Sequence, residues 1–275
     1  MTCKTILSYC DGGDAAPRRL ENAINVARWF DAHLTVLGVG YEADMPVYAM
    51  GDVVGPAIVE ISARARALAQ ARADEAAARL ARSGLLGDAV PMVSAYAALA
   101  GRLGRKARFV DLVVLSRPYG KGAPETAAGA FDGAIMDGEA AVLVCPDEMA
   151  GFDPKIVLIA WTNSREALRA LRAAIPILKR AERVELALFD PGVDAMDPAA
   201  DAAKLLSRHG VNVEIAAHVR GPGTIAEAIA TRIVDLGADL VVMGAYGSSR
   251  FREYVLGGVT RDMLTALPVP VFMAR

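Results

Sequence analysis

The sequence has no surplus of positive charge: 30 lysines and arginines stand against 32 aspartates and glutamates, a formal net charge of −2. A chain so balanced offers nucleic acid no basic footprint. Cysteine is scarce and odd in number, at Cys3, Cys10 and Cys145, which excludes a disulfide framework and leaves three small core residues. Histidine is as scarce. His33, His209 and His218 are scattered, none with a second ligand residue at helical or turn spacing, so neither a zinc site nor histidine-based catalysis is expected. No apolar run approaches the length of a membrane span, and the opening MTCKTILSYCDGG runs into a strand-like segment without the apolar stretch of a signal peptide. The expectation is a cytoplasmic protein that meets neither membrane nor nucleic acid.

What is present is material for a core. Hydrophobic residues make up 54% of the 275-residue chain and charged residues 23%, and the length suits one large domain or two ordinary ones. Repetition decides between them. Lys4-Thr5-Ile6-Leu7 opens the chain as a strand, and Lys155-Ile156-Val157-Leu158 opens a second unit after the turn-rich stretch 146–154. Asp111-Leu112-Val113-Val114 returns as Asp239-Leu240-Val241-Val242, and a closing strand at 141–144 returns at 270–273. A period so long indicates a duplicated domain rather than a solenoid, with units at 1–149 and 153–275.

In the second unit, strands predicted at 155–161, 183–189, 211–218, 239–243 and 269–274 alternate with helices at 164–180, 197–209, 223–236 and 259–266. This is the pattern of a parallel, doubly wound α/β sheet. Ser164 reads as an N-cap, Thr224-Ile225-Ala226-Glu227 has capping-box spacing, and Pro176 is expected to end or kink the first helix early. The first unit follows the same order, with helices near 15–31, 60–82 and 95–108. Its long Ala/Arg segment, 60–82, has the acidic residues and regular Ala and Leu positions of an ordinary amphipathic helix rather than of a nucleic-acid arm.

The chemistry concentrates near the end of the chain. Leu240 to Met243 is a short apolar run of the kind buried on both faces of a parallel sheet. Gly244 and Gly247 punctuate the turn after it, and Gly257 and Gly258 precede Val259 and Thr260 at the start of a helix. Glycines here let the backbone approach an anion, and the amides of a helix start point at it. The spacing closely resembles the nucleotide-binding motif of the universal stress protein family, G-x2-G-x9-G-[ST]. One position departs: Gly258 stands where the family has a hydroxyl residue, with Thr260 supplying one two residues later. IAWTNSREALRAL resembles the family's first strand-to-helix segment, and the resemblance to tandem members covers nearly the whole chain.

The resemblance implies a five-stranded parallel sheet in each unit, in the order 3-2-1-4-5, with a ligand crevice where strands one and four lie side by side. It implies ATP, alone or with Mg²⁺, in the second unit. The phosphates would lie between the Met243, Gly244 and Gly247 turn and Gly257, Gly258, Val259 and Thr260; adenine and ribose would lie on Ala160, Trp161 and Thr162. An aspartate is usual where this chain has Thr162. Arg250 and Arg252 read as a solvated loop face. The first unit lacks the spacing, since Ser116-Arg117-Pro118-Tyr119-Gly120-Lys121-Gly122 leads into Ala-rich sequence. There Asp11 reads as a turn or helix-start residue, and the unit as one for packing and dimerisation. The implied function is an adenine-nucleotide-binding stress-response module that acts through nucleotide-dependent contacts with a protein partner. Fast hydrolysis is not implied, because no general base stands beside the phosphates. A ligand-free interaction scaffold is the alternative. An adenylating or hydrolytic enzyme is a weaker one, because Asp11-Gly12-Gly13-Asp14 only faintly echoes an SGGxDS loop and lacks its serines.

Overall fold

The computed structural model describes residues 2–42, 55–191, 196–246, 258–266 and 268–275. The first half runs β1 (Thr5–Cys10), α1 (Ala16–Phe30), β2 (His33–Glu42), α2 (Gly55–Ser83), β3 (Gly87–Ala95), α3 (Leu99–Ala107), β4 (Leu112–Ser116), α4 (Ala127–Asp132) and β5 (Ala141–Cys145). The second runs β6 (Ile156–Ala160), α5 (Arg165–Leu178), β7 (Arg183–Phe189), α6 (Met196–Arg208), β8 (Glu214–His218), α7 (Ile225–Leu236), β9 (Leu240–Gly244), α8 (Gly258–Ala266) and β10 (Val271–Ala274). Strands within each half pair parallel in the expected order, β3-β2-β1-β4-β5 and β8-β7-β6-β9-β10.

The duplication extends to hydrogen bonds. Asp111, just before β4, accepts at Oδ2 from the amides of Lys4 and Thr5 at 2.8 and 2.9 Å. Asp239, just before β9, accepts from the amides of Lys155 and Ile156 at 2.8 and 3.0 Å. Each carboxylate thus ties the start of its half's first strand to the start of its fourth, satisfying amides that the sheet ladder leaves open.

The structure corrects the expectation of two separate sheets. β5 and β10 pair antiparallel, with Val144 opposite Val271 and Val142 opposite Met273, so one ten-stranded sheet runs through both halves. The physical reason lies in the edges: each half ends on a short strand buried along its whole length, and an apolar edge with open amides and carbonyls is satisfied by another of its kind. On one face of the sheet, α1, α2, α5 and α6 bury residues such as Leu20, Leu80, Leu171 and Leu206; on the other, α3, α4, α7 and α8 bury Leu103, Phe131, Ile233 and Met263. Side-chain bonds also cross between the halves: Trp29 Nε1 donates to Asp153 at 3.0 Å, while Arg180 lies over the Trp29 ring and donates to its carbonyl at 2.7 Å.

Local signals behave as their chemistry dictates. Ser164 Oγ accepts from the Ala167 amide at 3.1 Å, and Thr224 and Glu227 exchange both bonds of a capping box. Pro176 departs from expectation, since α5 continues through it to Leu178. Proline forfeits one backbone bond there, near the helix end, while buried Ala174, Ile175, Ile177 and Leu178 hold that turn on the core. A helix missing from the sequence reading, α4, is followed by a π-helical turn at Gly133–Asp137. The cysteines are free, with Cys10 and Cys145 buried. Burial pushes the Cys10 thiol up to about 11 and those of Cys3 and Cys145 up to about 12, so none is poised as a thiolate. Among the described residues no helix is long and apolar enough to cross a membrane.

Candidate functional site

A doubly wound sheet offers a crevice at the carboxyl ends of its first and fourth strands, where the flanking helices lie on opposite faces. In the second half those strands are β6 and β9, and Ala160 lies beside Met243 in their register. Ala160, Met243 and Gly244, far apart in sequence, therefore meet. Trp161 follows β6, buried, with its amide bonded to the Ala187 carbonyl at 2.9 Å. Its indole Nε1 is buried with no hydrogen-bond partner among the described residues, a state that buried donors rarely keep. Thr162 is exposed, and its hydroxyl lies 3.2 Å from that of the helix cap Ser164.

Gly244 is required by packing. A Cβ on it would stand 2.6 Å from the Ala167 amide nitrogen, so only glycine lets the start of α5 press against the end of β9. Ala245 is fully buried and its amide bonds the Ala274 carbonyl at 2.9 Å. The Tyr246 amide then faces Thr260 Oγ1 at 3.5 Å, which joins the glycine turn to the first turn of α8. Because that oxygen accepts from Tyr246, the Thr260 hydroxyl proton stays free to donate elsewhere. Gly258 is exposed at the start of α8, with half-buried Val259 after it. Gly247, Gly257, Arg250 and Arg252 lie outside the described residues.

The matching crevice of the first half is filled by the protein itself. When Lys4 is aligned with Lys155, Arg19 falls where the second half has Ala170, and both side chains are buried. The Arg19 guanidinium lies 3.8 Å over the Tyr9 ring. Its Nε donates to the Tyr9 carbonyl at 2.8 Å, one Nη to Ser116 Oγ at 3.1 Å and the other to Asp11 Oδ1 at 2.7 Å. Thus one side chain bridges the ends of β1 and β4. Thr126 donates to the other oxygen of Asp11 at 2.8 Å, and the Gly13 amide to the first at 3.3 Å. Burial pushes the Asp11 carboxyl up, but the Arg19 charge and these hydrogen bonds outweigh it and hold the group below its usual range. Asp11 makes the bond to the Gly13 amide that a turn residue makes, and what the turn-residue reading missed is that its carboxylate is also one half of a buried ion pair. The sequence did carry a signal for Arg19: it lies on the helix face that also bears Ala16, Ala23 and Ala27, all buried.

Elsewhere, an open cleft of about 810 Å³ between α1, α2 and residues 147–150 holds Arg79 paired with Glu21; no glycine lines it among the described residues. Among the described residues no group of three or more His, Cys, Asp or Glu could hold a metal ion.

With this geometry in view, the family model described as "Universal stress protein family" matches residues 154–275. The second half is thus similar to the universal stress protein family. Solved structures share the fold of the whole chain. A universal stress protein of Archaeoglobus fulgidus matches with a TM-score of 0.71 at 18% identity, over 98% of this chain and 96% of that one. A candidate universal stress protein of Pseudomonas aeruginosa matches at 0.58 and 15%, over 98% and 92%. Identities this low establish the shared fold and nothing finer. No curated protein matches this chain. The half that matches the family has β6 and β9 side by side, and the half joined to it has the same strand order with the ends of β1 and β4 bridged by Arg19.

Proposed function

We propose that the second half binds ATP at the ends of β6 and β9, and that this chain is a nucleotide-responsive binding module rather than an enzyme. One observation carries the reading, the contrast between the two crevices. Ala170 and Gly244 carry no polar group that could bridge the two strand ends, as Arg19 and Ser116 do in the first half, and the glycine spacing accompanies the second crevice alone. In this reading the amides after β9 and at the start of α8 face the phosphates, and the Thr260 hydroxyl donates to a phosphate oxygen. Ala160, Trp161 and Thr162 face adenine and ribose, where the unmet Trp161 Nε1 finds an acceptor. Mg²⁺ would ride on the phosphates, there being no described carboxylate set to hold it apart from them. Nucleotide occupancy then alters contacts with a protein partner or a second copy of the chain, in the cytoplasm.

Mass spectrometry of ligands released from gently purified protein tests the proposal: an adenine nucleotide supports it, and a folded protein that neither releases nor titrates with one points to a ligand-free scaffold. A sharper prediction concerns Gly258. Its φ is not positive, and a Cβ built on it meets nothing within 4 Å among the described residues, so serine suits this helix start. Gly258→Ser should tighten ATP binding by about 1–2 kcal/mol through a new bond to a charged phosphate, at unchanged melting temperature. Unchanged or weaker affinity would place the phosphates away from this residue.

A further inference from the structure

Tyr246 is the second variable residue of the G-x2-G turn, yet its side chain leaves its own half. Its hydroxyl donates to Asp132 Oδ1 at 3.1 Å, on the last residue of α4 in the first half, and lies 3.5 Å from the Tyr119 hydroxyl. Its ring tilts against that of Phe131, 6.3 Å away between centroids. Tyr119 also belongs to the first half, and Arg261 of α8 reaches over its ring at 5.1 Å. Both segments that flank the proposed phosphate position, the turn after β9 and the first turns of α8, therefore lean on the same patch of the first half.

The backbone indicates that this contact is retained for a reason. Tyr246 has φ +57°, left-handed territory that glycine and asparagine enter readily and tyrosine enters at a cost. Such a conformation persists where the surroundings over-determine it, most often at a ligand clamp or active site. Here the surroundings are the ring packing and the hydroxyl bond to Asp132. Burial raises the Asp132 carboxyl above its ordinary range while the Tyr246 hydroxyl opposes the rise; among the described residues this hydroxyl is its one side-chain donor.

We propose that Tyr246 is a positioning residue: anchored on Asp132 of the first half, it fixes the glycine turn whose amides face the phosphates, so that nucleotide binding in the second half depends on the first. The proposal rests on the ATP reading above, and it gives the half with the plugged crevice a task. Coupling would also run in reverse. A ligand that reshapes the turn pulls on α4.

The test uses the full chain and two readouts, ATP affinity by calorimetry and amide hydrogen exchange without ligand. Tyr246→Phe keeps the ring and removes the hydroxyl; Asp132→Ala removes the acceptor; Asp132→Asn keeps an oxygen acceptor. Each of the first two should raise the Kd for ATP about tenfold, the double variant no further than the worse single one, and Asp132→Asn should stay within about threefold of wild type. Exchange at Ala245, Tyr246 and Thr260 should quicken in Tyr246→Phe while β6 and β7 keep their protection. Wild-type binding that Tyr246→Phe leaves unchanged, or singles whose effects add in full, overturns the anchor and leaves the ATP reading standing. Should the wild type bind no ATP, the ATP reading falls and exchange alone decides: quickened exchange confined to the loop upholds the anchor, and unchanged exchange refutes it.

Discussion

Arg19→Ala should destabilise the folded chain by about 3–5 kcal/mol, because it strands the Asp11 carboxylate in the interior. The Arg19 side chain is fully buried and that of Asp11 is 5% exposed, so water cannot take over the lost partner; Thr126 and the Gly13 amide are the donors that remain. The cation–π contact with Tyr9 is lost too. For a chain of this size the loss corresponds to a fall of roughly 10 °C in melting temperature. Two controls separate the ion pair from simple cavity formation. Adding Asp11→Asn to Arg19→Ala removes the stranded charge and should recover part of the loss. The pH dependence has a definite sign as well: the folded pKa of Asp11 is depressed, so the pair's contribution is full above the unfolded carboxylate pKa of about 4 and is lost as pH falls through the folded value. The gap between wild type and Arg19→Ala should therefore narrow in acid. A constant gap at every pH, with no recovery in the double variant, would mean that packing alone holds Arg19.

The second large effect falls on binding. Gly257→Val or Gly247→Val should weaken ATP affinity by roughly a hundredfold or more, since branched side chains there block the approach of the backbone to phosphate and forfeit at least two bonds to a charged group, worth about 1.5–3 kcal/mol each. Gly244→Ala acts differently. Its Cβ meets the Ala167 amide nitrogen at 2.6 Å, so it forces α5 from β9 and should lower stability by about 1–3 kcal/mol as well as affinity. The first-half control needs care, because Gly122 has φ +80°. Asparagine tolerates that conformation better than a branched residue, and Gly122→Asn should leave both affinity and melting temperature in place. Comparable loss of affinity at Gly122 would contradict the assignment of the site to the second half.

Much of the fold was legible because its signals are local. Apolar runs marked β9 and β10, Ser164 and the Thr224–Glu227 box marked helix starts, and the paired Asp-Leu-Val-Val segments marked the duplication. What escaped depends on distant residues. The joining of β5 to β10 is a choice between edges, and neither strand encodes its partner. α4 and the turn after it fall in the stretch that read only as Ala-rich sequence, which Gly133 and Gly138 interrupt. In the fold these glycines are contact points: a Cβ on Gly133 would stand 2.2 Å from the Ala100 carbonyl oxygen, and one on Gly104 would stand 2.6 Å from the Gly133 oxygen, so α3 crosses this segment backbone to backbone. Arg19 looked like one more helix arginine until folding brought Tyr9, Asp11 and Ser116 around it. Tyr246 stood in a variable position of a motif, and only the tertiary contact with Asp132 gives it a part. At the candidate site, spacing drew attention to Met243, Gly244, Gly258 and Thr260; the fold adds why Gly244 must be glycine and that Thr260 already holds the turn.

The central claim is that one half of a duplicated fold keeps a nucleotide crevice while the other has filled its own. Calorimetric titration of the full chain with ATP tests it most directly through stoichiometry. One ATP per chain is expected, with binding lost in Gly257→Val and kept in Gly122→Asn. Two ATP molecules per chain, or one that survives Gly257→Val, would contradict it.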